Sequence, residues 1–159
     1  IMVICLNIST FARHWEGMNP QLFEHVIKVA ATLATRGIED GYRVGLIANG
    51  CLAHADQPFR IPPGRSPKQL STLLESLAGV TPVVTGPFEN FLIKQVPRIA
   101  YGATLLVVTG ITNPELFETF IQLKQRGRQI TLLSFAQQPP VIVPGIRSIH
   151  QPFIPANQN

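Results

Sequence analysis

Met2-Val3-Ile4-Cys5-Leu6 is an unbroken apolar run, and Asn7-Ile8-Ser9-Thr10 closes it with small polar residues. Such a run predicts a strand buried on both faces, as in the middle of a parallel sheet. Two other apolar stretches close in the same way. Val84-Thr85-Gly86 ends the short Val83-Val84 run, and Val108-Thr109-Gly110 ends a full strand. Each then opens a loop into a helix. In an open α/β sheet, ligands sit beyond the carboxyl ends of the strands. The pattern therefore aims Asn7, Ser9, Thr85, Thr109 and Gly110 at the place where such a fold works. No carboxylate stands among them, which points away from metal chemistry and towards binding.

The flanking sequence supplies the helices. Asn19-Pro20 gives an N-cap with proline at the first helical position, and the wide apolar face from Leu22 to Ala34 predicts a helix over residues 20–36. Gly37 and Asp40-Gly41 are its expected stop. Residues 43–49 read as the second strand, with Asn49-Gly50 as a turn signal. Residues 57–61 read as a short antiparallel edge strand bounded by prolines. Ser66-Pro67-Lys68-Gln69 is a capping box that opens a helix ended by Gly79. Gly86-Pro87 starts a helix through Phe88, Phe91, Leu92 and Val96. Residues 103–108 read as a strand, Asn113-Pro114 caps a helix ended by Gly127, residues 129–135 read as a strand, and residues 146–149 as a last edge strand. Strands alternating with helices predict a three-layer α/β/α sandwich, a mostly parallel sheet with an antiparallel edge strand and residues 2–6 in its centre. Residues 1–150 form the expected domain and residues 151–159 a tail.

Composition bounds the function. At 159 residues the chain is one domain. Its apolar fraction of 45% suits a globule, and its charged fraction of 14% leaves a thin polar surface or a covered face. The net charge of +4 comes mainly from arginines scattered without a basic run, unlike the clustered stripe of a nucleic-acid footprint. Arg126 and Arg128 read as a helix C-terminus complementing its dipole. Cys5 and Cys51 lack metal spacing and read as reduced thiols of an intracellular chain, with a Cys5–Cys51 bridge disfavoured. Ile1 already lies inside a strand. The expectation is therefore a fragment of a longer protein, with any targeting or membrane segment upstream.

The recognised catalytic and nucleotide patterns are missing. There is no G-x-G-x-x-G after the first strand, no P-loop and no G-x-S-x-G elbow. His14, His25, His54 and His150 lack ligand spacing, and His25 reads as an ordinary helix-surface residue. Ser9 with His14 as its base is the one hydrolase arrangement the sequence offers; otherwise Ser9 satisfies loop backbone groups. Cys5 reads as a small buried hydrophobe. Thr85 and Gly86 read either as part of the strand-end site or as a cap ahead of Pro87.

Val3 to Leu6, Asn7-x-Ser9, Thr85 before a helix and Val107-Val108-Thr109-Gly110 together resemble the von Willebrand factor A fold. More closely, the chain resembles the von Willebrand-like part of the bacterial family called domain of unknown function 58. That likeness lies in Val44-Gly45-Leu46-Ile47-Ala48-Asn49-Gly50, Pro62-Pro63-Gly64-Arg65-Ser66, Gln69-Leu70 and Gly102-Ala103-Thr104-Leu105. The resemblance implies a metal-ion-dependent adhesion site written D-x-S-x-S, a distant T, and T-D-G. Here the first Asp is Asn7, Ser9 is kept, the second Ser is Phe11, Thr85 is kept, and the last Asp falls on Gly110, or on Thr109 with a shift of one. With no carboxylate, the site reads as a degenerate one, and no metal or other cofactor is expected. The resemblance further implies a cytoplasmic domain of a membrane-anchored protein, and a MoxR-type AAA+ ATPase as partner.

The loop over residues 10–18 carries Phe11, Arg13, His14, Trp15 and Met18. These residue types are enriched at interfaces and their hot spots. They are the partner-binding candidates, unless Trp15 and Phe11 fold back as a local core plug. The first reading is a non-enzymatic protein-protein interaction module. A hydrolase using Ser9 and His14, and a metal-dependent adhesion-type binder, stand beside it.

Overall fold

A computed structural model describes residues 1–11, 16–52 and 58–155. The chain runs β1 (Met2–Leu6), α1 (Pro20–Glu39), β2 (Val44–Leu52), β3 (Pro58–Gly64), α2 (Pro67–Gly79), β4 (Val80–Val84), α3 (Phe88–Gln95), β5 (Thr104–Thr109), α4 (Pro114–Gln125), β6 (Gln129–Ser134) and β7 (Arg147–His150). The sheet order is β3-β2-β1-β5-β6-β7, with β4 also on β2. β1 is central, as its double-sided apolar run demands. Val3 and Cys5 point into the layer under α3 and α4. Ile4 and Leu6 point into the layer under α1 and α2. The pairings β1–β2, β1–β5, β5–β6 and β6–β7 are parallel.

The helices start where short side chains can accept their free amides. Asn19 Oδ1 accepts from Gln21 N and Leu22 N, Ser66 Oγ from Gln69 N, and Asn113 Oδ1 from Leu116 N, each with proline next in sequence. The capping box at Ser66 is only half formed. Gln69 does not reach back to it; Gln69 Nε2 donates to Val44 O and Pro62 O, both at 2.8 Å. The side chain clamps α2 to the start of β2 and the end of β3.

Several boundaries differ from the sequence reading for packing reasons. α1 continues through Gly37 to Glu39. A Cβ on Gly37 would lie 2.5 Å from Met2 Cε and 2.8 Å from Val44 Cγ2, so this glycine serves close approach to the sheet rather than termination. The Asn49-Gly50 turn signal is overridden, and β2 runs on to Leu52 with register shifts. A Cβ on Gly50 would meet Ile8 Cδ1 at 2.8 Å and Val80 Cγ2 at 3.0 Å. The glycine thus lets three segments converge. The edge strand β3 is antiparallel as expected and extends through Pro62-Pro63 to Gly64. β4, read only as a short apolar run, is a second antiparallel partner of β2.

His25 is not an ordinary surface residue. It is half-buried, with its ring 4.6 Å from the Phe135 ring and 4.9 Å from the Phe153 ring. The chain past β7 stays on the sheet here, where Gln151 N donates to Ser134 O and Phe153 N to Phe135 O. Both thiols are free and buried, and burial pushes Cys5 up to about 12. A thiol so far from ionisation is no nucleophile.

Two predictions follow from this packing. In Gly45→Ala the new Cβ would sit 2.9 Å from Ile61 O and 3.0 Å from Pro63 N. Both are backbone atoms, so β3 must move. The urea midpoint should fall by an amount equivalent to about 2 kcal/mol with an unchanged slope; an unchanged midpoint would refute the close approach. For His25, burial first and Lys28 second lower its pKa. Its neutral form is favoured by the fold, so stability falls as pH drops below the unfolded value of about 6.5 and levels off below the folded one. Between about pH 7 and about pH 5 the native chain should lose more stability than His25→Leu; parallel losses would refute this.

Candidate functional site: an amide network at the carboxyl ends of the strands

β2 outruns β1. Leu6 pairs with Ala48, so the next residue of each strand, Asn7 and Asn49, stand side by side where β1 ends. Asn7 N still donates to Val108 O at 2.9 Å, which holds the residue against β5. Both asparagines and Thr109 are buried, at 2%, 0% and 0% exposure. Amides and hydroxyls buried this deeply must find partners or cost about 1–3 kcal/mol each.

They find one another. Ile8 N donates to Asn49 Oδ1 at 2.9 Å, which fixes the orientation of that carboxamide. Asn49 Nδ2 then faces two oxygens, Asn7 Oδ1 at 3.0 Å and Ser9 Oγ at 3.2 Å. Asn7 Oδ1 takes a second bond from Ser9 N at 3.0 Å, filling both lone pairs. Asn7 Nδ2 donates to Thr109 Oγ1 at 3.0 Å. Thr109 Oγ1 donates onward to Ile111 O at 2.6 Å and accepts from Ile111 N at 3.2 Å. Thr85 N and Thr85 Oγ1 both donate to Asn49 O, at 3.0 and 3.1 Å.

The structure therefore brings Asn7, Ser9, Thr85 and Thr109 together around Asn49. Thr85 arrives by an unexpected route, at the end of antiparallel β4 rather than of a parallel strand. It does not cap the next helix, whose N-cap is Pro87 with no side-chain bond. Sequence reasoning missed Asn49, the hub, because Asn49-Gly50 reads as a turn. The available signal was an amide directly continuing the apolar run Val44 to Ala48. Gly110 lies at the same edge against α1, and a Cβ there would be 2.7 Å from Leu22 Cδ1.

A divalent ion of the kind the adhesion motif implies does not fit this donor set. Asn7 Oδ1 and Ser9 Oγ, the oxygens it would need, already face the Asn49 amide hydrogens. A carboxylate at position 110 would displace Leu22 and with it α1. Among the described residues no cluster of three or more His, Cys, Asp or Glu side chains could hold a metal. Among the described residues the side chain bonded to Ser9 Oγ is a carboxamide that donates to it, whereas a base must be able to take its proton; His14, the base of the hydrolase arrangement, lies outside those residues.

Around the network the surface is apolar and recessed. Phe11 is 38% exposed and separates two concavities. One, of about 230 Å³, is lined by Ile8, Ser9, Met18, Pro82 and Val83 among others. The other, of about 390 Å³, lies between Leu22, Gly110, Ile111 and Phe153. Thr10 Oγ1 accepts from Asn19 N at 2.8 Å and ties the loop to the start of α1. Met18 and Val83 are also exposed. Arg13, His14 and Trp15 lie outside the described residues.

No family model matches this sequence, and no curated protein matches it. Sixteen chains of known structure do match. One is the crystal structure of the SpRpn10 VWA domain, similar over 99% of this chain and 89% of that chain, with a TM-score of 0.56 and 14% identity. The fold is von Willebrand factor A-like, an α/β sandwich. Among the described residues no helix is long and apolar enough to cross a membrane.

Asn49→Ala should lower the unfolding free energy by about 3 kcal/mol, since it strips partners from Ile8 N, Asn7 Oδ1 and Ser9 Oγ. Asn49→Asp should lower it further near neutral pH, because it sets oxygen against oxygen in a buried site. Urea unfolding of both variants checks the order; an Asp variant as stable as the native chain would contradict the network.

Proposed function

We propose that this domain is a non-enzymatic protein-protein interaction module whose carboxyl-end face is a degenerate adhesion site, built to hold its loops in place without a metal ion. The single observation carrying this reading is the Asn49 carboxamide, whose amide hydrogens face Asn7 Oδ1 and Ser9 Oγ where the resembled motif would place a cation. An adhesion-type ion both orders the loops and offers a ligand position to an acidic partner. Here the first task falls to hydrogen bonds and the second is gone. Recognition is left to side chains around the network, Phe11 and Met18, each 38% exposed, and to the candidates Arg13, His14 and Trp15 that the sequence sets between them. Apolar anchors beside recesses are the usual makings of an interface hot spot.

The resemblance to the domain of unknown function 58 family supports a narrower version. In it the chain is the cytoplasmic part of a membrane-associated bacterial protein, and its partner is a MoxR-type AAA+ ATPase. Binding of the domain to a nucleotide-free MoxR-type ATPase from the same genome tests both parts. Affinity should be the same with and without EDTA, and Trp15→Ala should weaken it by about 2 kcal/mol with little change in melting temperature. Binding that vanishes in EDTA and returns with Mg²⁺ would overturn the metal-free face. A Trp15→Ala variant that loses about 3 kcal/mol of stability and no affinity would place Trp15 in the core instead. Absence of binding to the ATPase would remove that partner.

A further inference from the structure

The opposite end of the sheet carries a further recess that the strand-end face does not explain. It is a cavity of about 310 Å³ between β3, the start of β2 and the turn over Val96–Arg98. That volume lies at the small end of the range for ligand pockets. Its floor and walls are apolar, with Ile47, Ile61, Pro63 and Ile99 among the lining residues, and three arginines line it too: Arg43, Arg60 and Arg98. All three are exposed. Arg60 Nη2 donates to Arg98 O at 3.2 Å, so its guanidinium leans from the strand towards the turn. Among the described residues none of the three is ion-paired, and the ion pair found there is Arg36 with Asp40.

Helix dipoles account for basic residues in the last turns of helices. They do not account for Arg60, which sits on a strand, or for Arg43, which lies beyond the end of α1. Nor does a solubility role explain why three unpaired cations surround an apolar hollow. We infer that this groove is a second docking site, for an acidic peptide segment that places an apolar side chain in the hollow and carboxylates on Arg43, Arg60 and Arg98. Charge complementarity selects an anionic occupant, and the recessed apolar lining selects a side chain over a free anion or a flat lipid surface. Docking through side chains also suits the edge, because Pro62 and Pro63 remove amides that strand addition would use. This site is independent of the strand-end face, so a partner could engage both.

The test uses this chain and a fluorescein-labelled synthetic peptide carrying a leucine–phenylalanine pair flanked by glutamates. Saturable binding is expected, with amide and methyl shifts centred on Ile61, Arg98 and Ile99. The glutamine-flanked peptide and the Arg43→Glu/Arg60→Glu variant should each bind at least tenfold more weakly. Both side chains are exposed, and an unchanged amide spectrum elsewhere will show that the variant folds. No saturable binding, equal binding of the glutamine peptide, or shifts centred on Phe11 and Ile111 would overturn the assignment. So would capture by phosphatidylserine vesicles that the double variant abolishes, with no binding of the peptide.

Discussion

Everything at the carboxyl ends of the strands depends on two buried carboxamides that satisfy each other. A central parallel strand covered on both faces must end somewhere, and its first polar side chain ends inside the protein. Asn7 does so at 2% exposure and Asn49 at 0%. Left unpaired, groups at that depth would destabilise the fold by several kcal/mol in sum. Because Ile8 N fixes Asn49 Oδ1, the amide hydrogens have one direction left, towards Asn7 and Ser9. The network then reaches Thr109 on β5 and Thr85 after β4, so four chain segments share one set of hydrogen bonds. The loops leaving those segments inherit their positions from it.

This arrangement also explains the glycines around it. Gly50 lets Ile8 and Val80 close on β2, and Gly110 lets Leu22 of α1 lie against the end of β5. Neither position tolerates the side chain of a metal ligand without moving its neighbours. In the proposed reading of a degenerate adhesion site, three features go together: an amide where the motif has a carboxylate, a second amide to face it, and a glycine where packing has filled the space.

Much of the fold was legible because it rests on local rules. The Asn-Pro and Ser-Pro starts at residues 19, 66 and 113 are caps by their own chemistry. The run from Met2 to Leu6 had to be central because no one-sided position could hide it. What failed was decided by tertiary contact. Asn49-Gly50 has turn chemistry, yet β3, β4 and Ile8 converge there and hold it in a strand. Gln69 fits a capping box, but two carbonyls of β2 and β3 were nearer. His25 looks polar and exposed until Phe135 and Phe153 close around it from distant parts of the chain. At the site itself, Asn7, Ser9, Thr85 and Thr109 could be named from strand ends, whereas the hub could not, since its role needs the register of β1 against β2.

The central claim is that an amide network does the ordering that a cation does in the resembled motif. Manganese tests it most directly, because its unpaired electrons broaden every amide signal near a bound ion. At millimolar Mn²⁺ the amide resonances of Ser9, Thr85 and Ile111 should broaden no more than those of surface residues far from the strand ends. Selective broadening of those three, abolished by Ser9→Ala, would contradict the account.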